Sequence, residues 1–382
     1  MSDLLWPGDA RAGELFGDAA VLGAMVRVEE AWIKTVSGTV VNLRRLVGPD
    51  DLPAVARDAE AGGNPVIALL ALLRSRVDDK HLHAGLTSQD VLDTALVLCL
   101  RDTAARLRDE LAAQIGGLAA LADRHRHTEM AGRTLTQHAV PITFGLKAAG
   151  WLTGVLDARD ALTRAADLPI QIGGAAGSLA APAALAGDPH TARDWVARTA
   201  AELGLPVREP WHTARAPLTG LADALVTCTD AWGRIAGDVL MLGRPEIGEV
   251  TEGPAEGRGG SSAMPNKQNP VLAVLIRRAA LAAPPLAATL HTAAASAVDE
   301  RPDGSWHVEW ATLRTLSRRT VVAASQTAEL IAGLRVHPDR MAATLAAARP
   351  GIDAEQRKLA AAGPYRGATD QIVDAVLARA GS

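Results

Sequence analysis

The 382-residue chain is short of aromatic side chains, with eight Trp but one Tyr and two Phe. Strands are enriched in aromatic and β-branched residues, so a core left to Ala, Leu and Val favours helices. Cysteine is nearly absent. Cys99 and Cys228 lie far apart with no partner motif, which excludes a disulfide scaffold and fits a reducing compartment where both are core fillers. No excess of basic charge exists: the net charge is −4 and the pI about 6.2, so the overall field needed by a nucleic-acid partner is missing. The first twenty residues include Asp3, Asp9, Arg11, Glu14 and Asp18 and have no apolar core of a secretory signal, so a cytoplasmic location is expected. One uncharged run, Ala279 to Val298, has the length of a membrane span. It is mostly alanine and carries Pro284 and Pro285, which predicts a buried bundle helix disrupted by the prolines and no membrane partner.

Helical periodicity is abundant. From Leu221, the residues Leu225, Cys228, Trp232, Ile235, Val239 and Leu242 recur in steps of four and three on one helical face. Leu100, Ala104, Leu107, Leu111, Leu118 and Leu121 keep the same rhythm, interrupted by Gln114, and Val21, Met25, Val28, Trp32 and Val36 repeat it near the N-terminus. Alternating patterns and Asn-Gly turns are scarce. The expected fold class is all-α, a bundle of long helices.

Four polar or glycine-rich stretches punctuate the helices: His81–Asp90, Gly132–Pro141, Gln171–Ser178 and Gly253–Pro270. Chemistry concentrates on such loops. The stretch Gly257 to Pro270 combines glycines, two adjacent hydroxyls, a lysine and two amides before a proline able to open the next helix, a denser polar content than an ordinary flexible linker has. Lysine is otherwise confined to Lys34, Lys80, Lys147 and Lys358, so Lys267 stands out as a compact charge for an anion. Arg133 and Arg301 read either as carboxylate contacts or as solvated charges. The pairs His81/His83 and His125/His127 lack nearby ligand spacing, and no metal is expected. Gly173, Gly174 and Gly177 lack dinucleotide-loop spacing and suggest close helix packing.

The run Gly260-Ser261-Ser262-Ala263-Met264-Pro265-Asn266-Lys267-Gln268-Asn269-Pro270 resembles the signature of the fumarase/aspartase/adenylosuccinate lyase superfamily. The stretches His83 to Thr94 and Gly132 to Pro141 resemble its other two conserved regions. The likeness runs to about residue 345 and resumes from Pro364 to Ala380, with a short C-terminal region between. Within the superfamily the bacterial carboxymuconate cycloisomerases are the most similar branch, through Gln171 to Gly177 and Gly304 to Trp310. Trp310 stands near where adenylosuccinate lyases carry Ser and Arg for a nucleotide phosphate, which disfavours a nucleotide. Amine-expelling members have His after the Thr of the second region, whereas this chain has Leu135. A carboxylate leaves without a proton and an amine does not, so such an acid is dispensable for lactone chemistry.

The resemblance implies an N-terminal helical domain over 1–90, a central bundle over 91–340 and a shortened C-terminal helical region over 341–382. It also implies a homotetramer whose active sites are shared between subunits. The implied substrate is a small tricarboxylate, and no metal or organic cofactor is needed. The expected reaction is conversion of 3-carboxy-cis,cis-muconate to carboxymuconolactone by internal carboxylate addition through an aci-carboxylate carbanion. A β-elimination on a substituted succinate is the alternative, and a non-catalytic homologue is the alternative of another class. Ser261 would move the proton, with Lys267 and Asn269 stabilising charge. Thr87, Ser88, Gln89, Thr134 and Gln137 would meet substrate, joined by Met264. His83 matches a family active-site His but also reads as a structural loop residue. His138 either faces the site or caps a helix.

Overall fold

The long periodicities become long helices in the computed structural model, which describes residues 3–264, 266–359 and 366–381. Pro265 of the loop signature and Pro364, where the C-terminal likeness resumes, lie outside these residues. The helices are α1 (Asp18–Ser37), α2 (Leu52–Gly62), α3 (Pro65–Arg76), α4 (Ser88–Arg124), α5 (Phe144–Ala165), α6 (Ala180–Ala186), α7 (Pro189–Leu203), α8 (Ala216–Leu242), α9 (Val271–Ala295), α10 (Gly304–Gly333), α11 (Pro338–Ile352), α12 (Ala354–Lys358) and α13 (Thr369–Ala380). Three short 3-10 helices (Asp9–Ala12, Leu43–Arg45 and Pro49–Asp51) and four short strands accompany them among the described residues: β1 (Glu129–Thr134) pairs antiparallel with β2 (Gln137–Thr143), and β3 (Val250–Thr251) with β4 (Arg335–Val336).

The chain forms two compact units, each discontinuous in sequence. One takes residues up to Arg106 with Leu162–Leu225 and Pro284–Val321; the other takes Leu107–Ala161, Val226–Ala283 and the residues from Val322 on. In the first unit α1 packs on α7, with Trp32 edge-on to Trp195 at 6.1 Å between ring centroids. Asn64 caps α3 by accepting the Val66 N–H, and Pro65 opens the helix where no N–H is needed. In the second unit Gln114, the polar interruption in the α4 stripe, is fully buried. It donates to the Ala324 carbonyl at 2.9 Å and accepts the Trp232 indole N–H at 2.7 Å, so both ends of the amide are satisfied.

Two expectations need correction. Pro284 and Pro285 do not break their helix; α9 runs continuously through them. Both are exposed within the single chain, so the helix passes them outside this protomer's own core, where the loss of two N–H donors is tolerated. The stretch Gly132–Pro141 is not a plain loop but most of a β-hairpin. Its two-residue connection is Leu135-Thr136, both with positive φ (46° and 69°). That doubly left-handed form suits the twist of paired strands, but without glycine or asparagine it leaves no turn signal in the sequence.

Candidate active site

In the first unit, the segment before α4 is held by a buried carboxylate. Asp90 accepts the N–H groups of Thr87 (3.0 Å), Gly173 (2.8 Å) and Gly174 (2.9 Å), and the Nε2 of His212 at 3.0 Å. A helix whose third residue accepts from the residue before its start is normally capped reciprocally by that residue's hydroxyl. Here the Thr87 hydroxyl instead accepts from Arg301 at 2.9 Å. Arg301 in turn lies over the Trp306 ring at 5.2 Å, so this guanidinium is engaged and not simply solvated. Ser88 is the first residue of α4. His83, in a left-handed conformation at φ 61°, binds Glu29 twice: its backbone N–H donates at 3.0 Å and its Nδ1 lies 2.7 Å from the other carboxylate oxygen.

Gln89 faces inward. It is fully buried and donates to Asp93 at 3.1 Å and to the His212 carbonyl at 3.0 Å. The same Asp93 takes Arg215 at 2.6 and 3.1 Å and the Trp306 indole N–H at 2.8 Å, and Arg215 also grips Glu309 at 2.5 and 3.0 Å. Burial on its own lowers the Arg215 pKa, but the charges and hydrogen bonds of Asp93 and Glu309 outweigh it and hold the guanidinium protonated. Burial pushes Glu309 above the usual glutamate range, against the pull of Arg215 and with a further push from Asp93.

In the second unit, the hairpin presents Thr134, Leu135, Thr136 and Gln137 on its exposed tip, with Leu135 96% exposed. His138 sits opposite Arg133 in the ladder and is exposed on a strand, so it caps no helix. Arg133 makes a bidentate pair with the fully buried Glu249 at 2.8 and 2.9 Å. The reading of Arg133 as a simply solvated charge therefore gives way to an ion pair with a buried carboxylate.

The loop before α9 is closed at its neck. Asn269 donates its backbone N–H and its side-chain Nδ2 to the Gly259 carbonyl at 2.8 and 3.0 Å, and Gln268 donates to the Arg258 carbonyl at 2.8 Å. Gly259 has φ 81°, and a Cβ there would meet the Asn269 backbone carbonyl oxygen at 2.7 Å, so only glycine fits. Glu252 accepts the N–H groups of Leu272 and Ala273, fixing the start of α9. Above the neck, Ser261 Oγ lies 3.3 Å from the Ala263 N–H and 3.2 Å from the Met264 N–H and accepts from both. Met264 and Lys267 are exposed. Donors aimed at a hydroxyl oxygen favour its deprotonated form.

A family described as lyase matches residues 55–283, a span holding the hairpin and the loop. The chain belongs to this lyase family, within the fumarase superfamily. The lyase is 45% identical to a nitrosuccinate lyase of Streptomyces davaonensis over 86% of this chain and 73% of that protein. It is 40% identical to a 3-carboxy-cis,cis-muconate cycloisomerase of Bradyrhizobium diazoefficiens over 88% and 77%. The crystal structure of the 3-carboxy-cis,cis-muconate lactonizing enzyme from Pseudomonas putida superposes with a TM-score of 0.81 at 31% identity, covering 96% of this chain and 85% of that one. The helical superfamily fold and enzymatic character follow, and a purely non-catalytic scaffold is set aside.

Several buried groups in the two units escaped the sequence reading. Glu29, His212, Arg215, Glu249 and Glu309 are buried ionisable groups whose partners lie 54 to 122 residues away. No local sequence signal marks His212 and Arg215, which stand in the short stretch Trp211-His-Thr-Ala-Arg215 just before α8.

Proposed function

We propose that this lyase removes a proton from the carbon beside a carboxylate of a small di- or tricarboxylate and expels a leaving group that departs as an anion. A nitro-substituted succinate is the first substrate to test. The observation that carries the reading is Ser261: its oxygen accepts two backbone N–H groups on a loop that also bears Lys267. Serine is scarcely ionised in neutral water, and donors directed at Oγ lower the cost of its alkoxide, which enlarges the fraction able to take a proton.

The proton leaves the carbon next to one carboxylate, the electron pair spreads into that carboxylate as an aci-carboxylate, and the pair then forms the double bond as nitrite departs from the neighbouring carbon. Fumarate, nitrite and a proton are the products. Lys267 and loop N–H groups of one copy of the chain face the developing charge, while Thr87, Ser88, Thr134, Gln137 and Arg301, contributed by different copies, hold carboxylates, and His83 and Met264 border them. Gln89 and Asn269 act at one remove, Gln89 within the buried network and Asn269 on the loop neck. Leu135 supports an anionic leaving group, since an apolar side chain at the hairpin tip offers no proton to a departing amine.

Cycloisomerisation of 3-carboxy-cis,cis-muconate is the second reading, favoured by the identity of 40% to one such enzyme and 37% to another, from Pseudomonas aeruginosa. It uses the same carbanion: a carboxylate adds to a double bond, and the proton is delivered instead of removed. The 45% identity to a nitrosuccinate lyase ranks elimination first. The two are separated by incubating purified protein with nitrosuccinate, reading nitrite, and with 3-carboxy-cis,cis-muconate, reading loss of diene absorbance. Nitrite without diene loss supports the first reading, and diene loss without nitrite replaces it with the second.

A homotetramer in the cytoplasm, with sites shared between subunits, is part of the same proposal. Helix α9 is long and apolar enough to cross a membrane, yet only a third of its most apolar window is buried within one protomer. Packing against other copies would cover that surface, and no cofactor enters the chemistry.

A further inference from the structure

We propose that Glu249 is a positioning residue: through Arg133 it holds the hairpin tip in a strained conformation that sets Thr134 and Gln137 toward substrate. The inference rests on the elimination or cycloisomerisation reading above, since both use the tip.

The tip is strained. Leu135 and Thr136 adopt φ of 46° and 69°, and a β-branched residue such as Thr136 is seldom found in the left-handed region. Strained backbone persists only where its surroundings over-determine it, and such strain collects at functional sites. No direct contact stabilises Leu135, which is almost wholly exposed, so the constraint must arise below the tip.

Three features supply it. The ladder is irregular between Ala131 and Arg133, which re-aims the strand beneath the tip. At Gly132 a Cβ would meet the Val140 carbonyl oxygen at 2.6 Å, so β1 and β2 approach there as only glycine permits. Arg133, one residue before Thr134, is clamped by both oxygens of Glu249, which is fully buried. The fork geometry fixes the guanidinium in rotation as well as distance. Glu249 is itself anchored: its carbonyl accepts the His337 N–H at 3.0 Å, its N–H donates to Leu242 at 2.9 Å, and β3 pairs with β4 immediately after it. Helix α11, which follows β4, packs on β1 and β2. The carboxylate thus links the hairpin to the rest of the second unit and, being fully buried, acts on the tip only through Arg133.

The test compares wild type, Glu249→Gln and the double variant Glu249→Gln/Arg133→Met in thermal unfolding, in amide hydrogen exchange of the peptide covering residues 133–138, and in nitrite and diene assays. Removing the carboxylate leaves a buried guanidinium unpaired, so the single variant loses stability; the double variant, with no charge left, regains it. Positioning predicts that the double variant, at near wild-type Tm, still exchanges faster at the tip and falls about 10- to 100-fold in kcat/KM. Recovery of both exchange protection and rate would assign Glu249 a structural role and overturn the proposal. So would a Glu249→Gln protein with unchanged exchange and rate. Should Glu249→Gln fail to fold, Glu249→Asp replaces it, with faster tip exchange expected and unchanged exchange contradicting the idea. If wild type turns over neither substrate, the functional reading fails, while the exchange comparison still decides the positioning claim.

Discussion

His212 Nε2 stands 3.0 Å from Oδ1 of Asp90, and both side chains are buried. A carboxylate can only accept, so the hydrogen resides on Nε2. With three backbone N–H groups on the same carboxylate, Asp90 joins the start of α4 to the Gly173-Gly174 turn and to the segment before α8. Asp90→Ala leaves these donors and the imidazole without an acceptor and should cost about 3–5 kcal/mol of unfolding free energy. Urea denaturation measures it, and a loss below about 1 kcal/mol would contradict the role given to this carboxylate.

The Arg215 cluster carries a pH dependence. Glu309 has its pKa raised in the folded state by burial. A carboxyl whose folded pKa exceeds its unfolded value contributes stability that is fully present below the unfolded pKa and lost as pH rises through the folded one. Glu309→Gln removes that loss. Its stability relative to wild type should therefore improve as pH climbs above about 4.5, the ordinary value, in denaturation curves taken at successive pH. A relative stability that worsens over that range would reverse the sign.

Both thiols should be inert in the native protein. Burial pushes Cys99 and Cys228 up to about 12 each, and the thiolate is the reactive form. Titration with a disulfide reagent near neutral pH is expected to count no thiols before denaturant and two after. Rapid native labelling of either would contradict the burial.

The loop makes two separable predictions. Ser261→Ala removes the proton acceptor and Lys267→Ala removes charge stabilisation, and each should lower kcat by about a hundredfold or more with little change in Tm. Asn269→Ala instead opens the neck at Gly259 and should also make residues 258–268 more susceptible to limited proteolysis. Equal proteolysis of all three variants would remove that distinction.

The helices and the signature loop were legible because both are local. Leu221 to Leu242 becomes α8, within Ala216–Leu242, and the glycine-rich stretch ending at Pro270 becomes a necked loop whose Gly259 sits where a Cβ cannot. The hairpin was illegible for a local reason: its turn uses Leu135-Thr136, residues that ordinarily avoid positive φ. The electrostatics were hidden for a tertiary one. Nothing near Glu249 in sequence announces Arg133, 116 residues away, and Gln89 reads as a polar loop residue until burial turns its amide toward Asp93. Pro284 and Pro285 misled in the other direction, since a helix outside its own protomer's core tolerates the loss of two N–H donors.

The central claim, a carbanion site that releases leaving groups as anions, is tested most directly by comparing kcat/KM for nitrosuccinate and for aspartate under one set of conditions. The two share a succinate skeleton and differ in whether the departing group needs a proton. Nitrite release should exceed ammonia release by about a thousandfold or more; ammonia release as fast as nitrite release, or faster, would contradict the account.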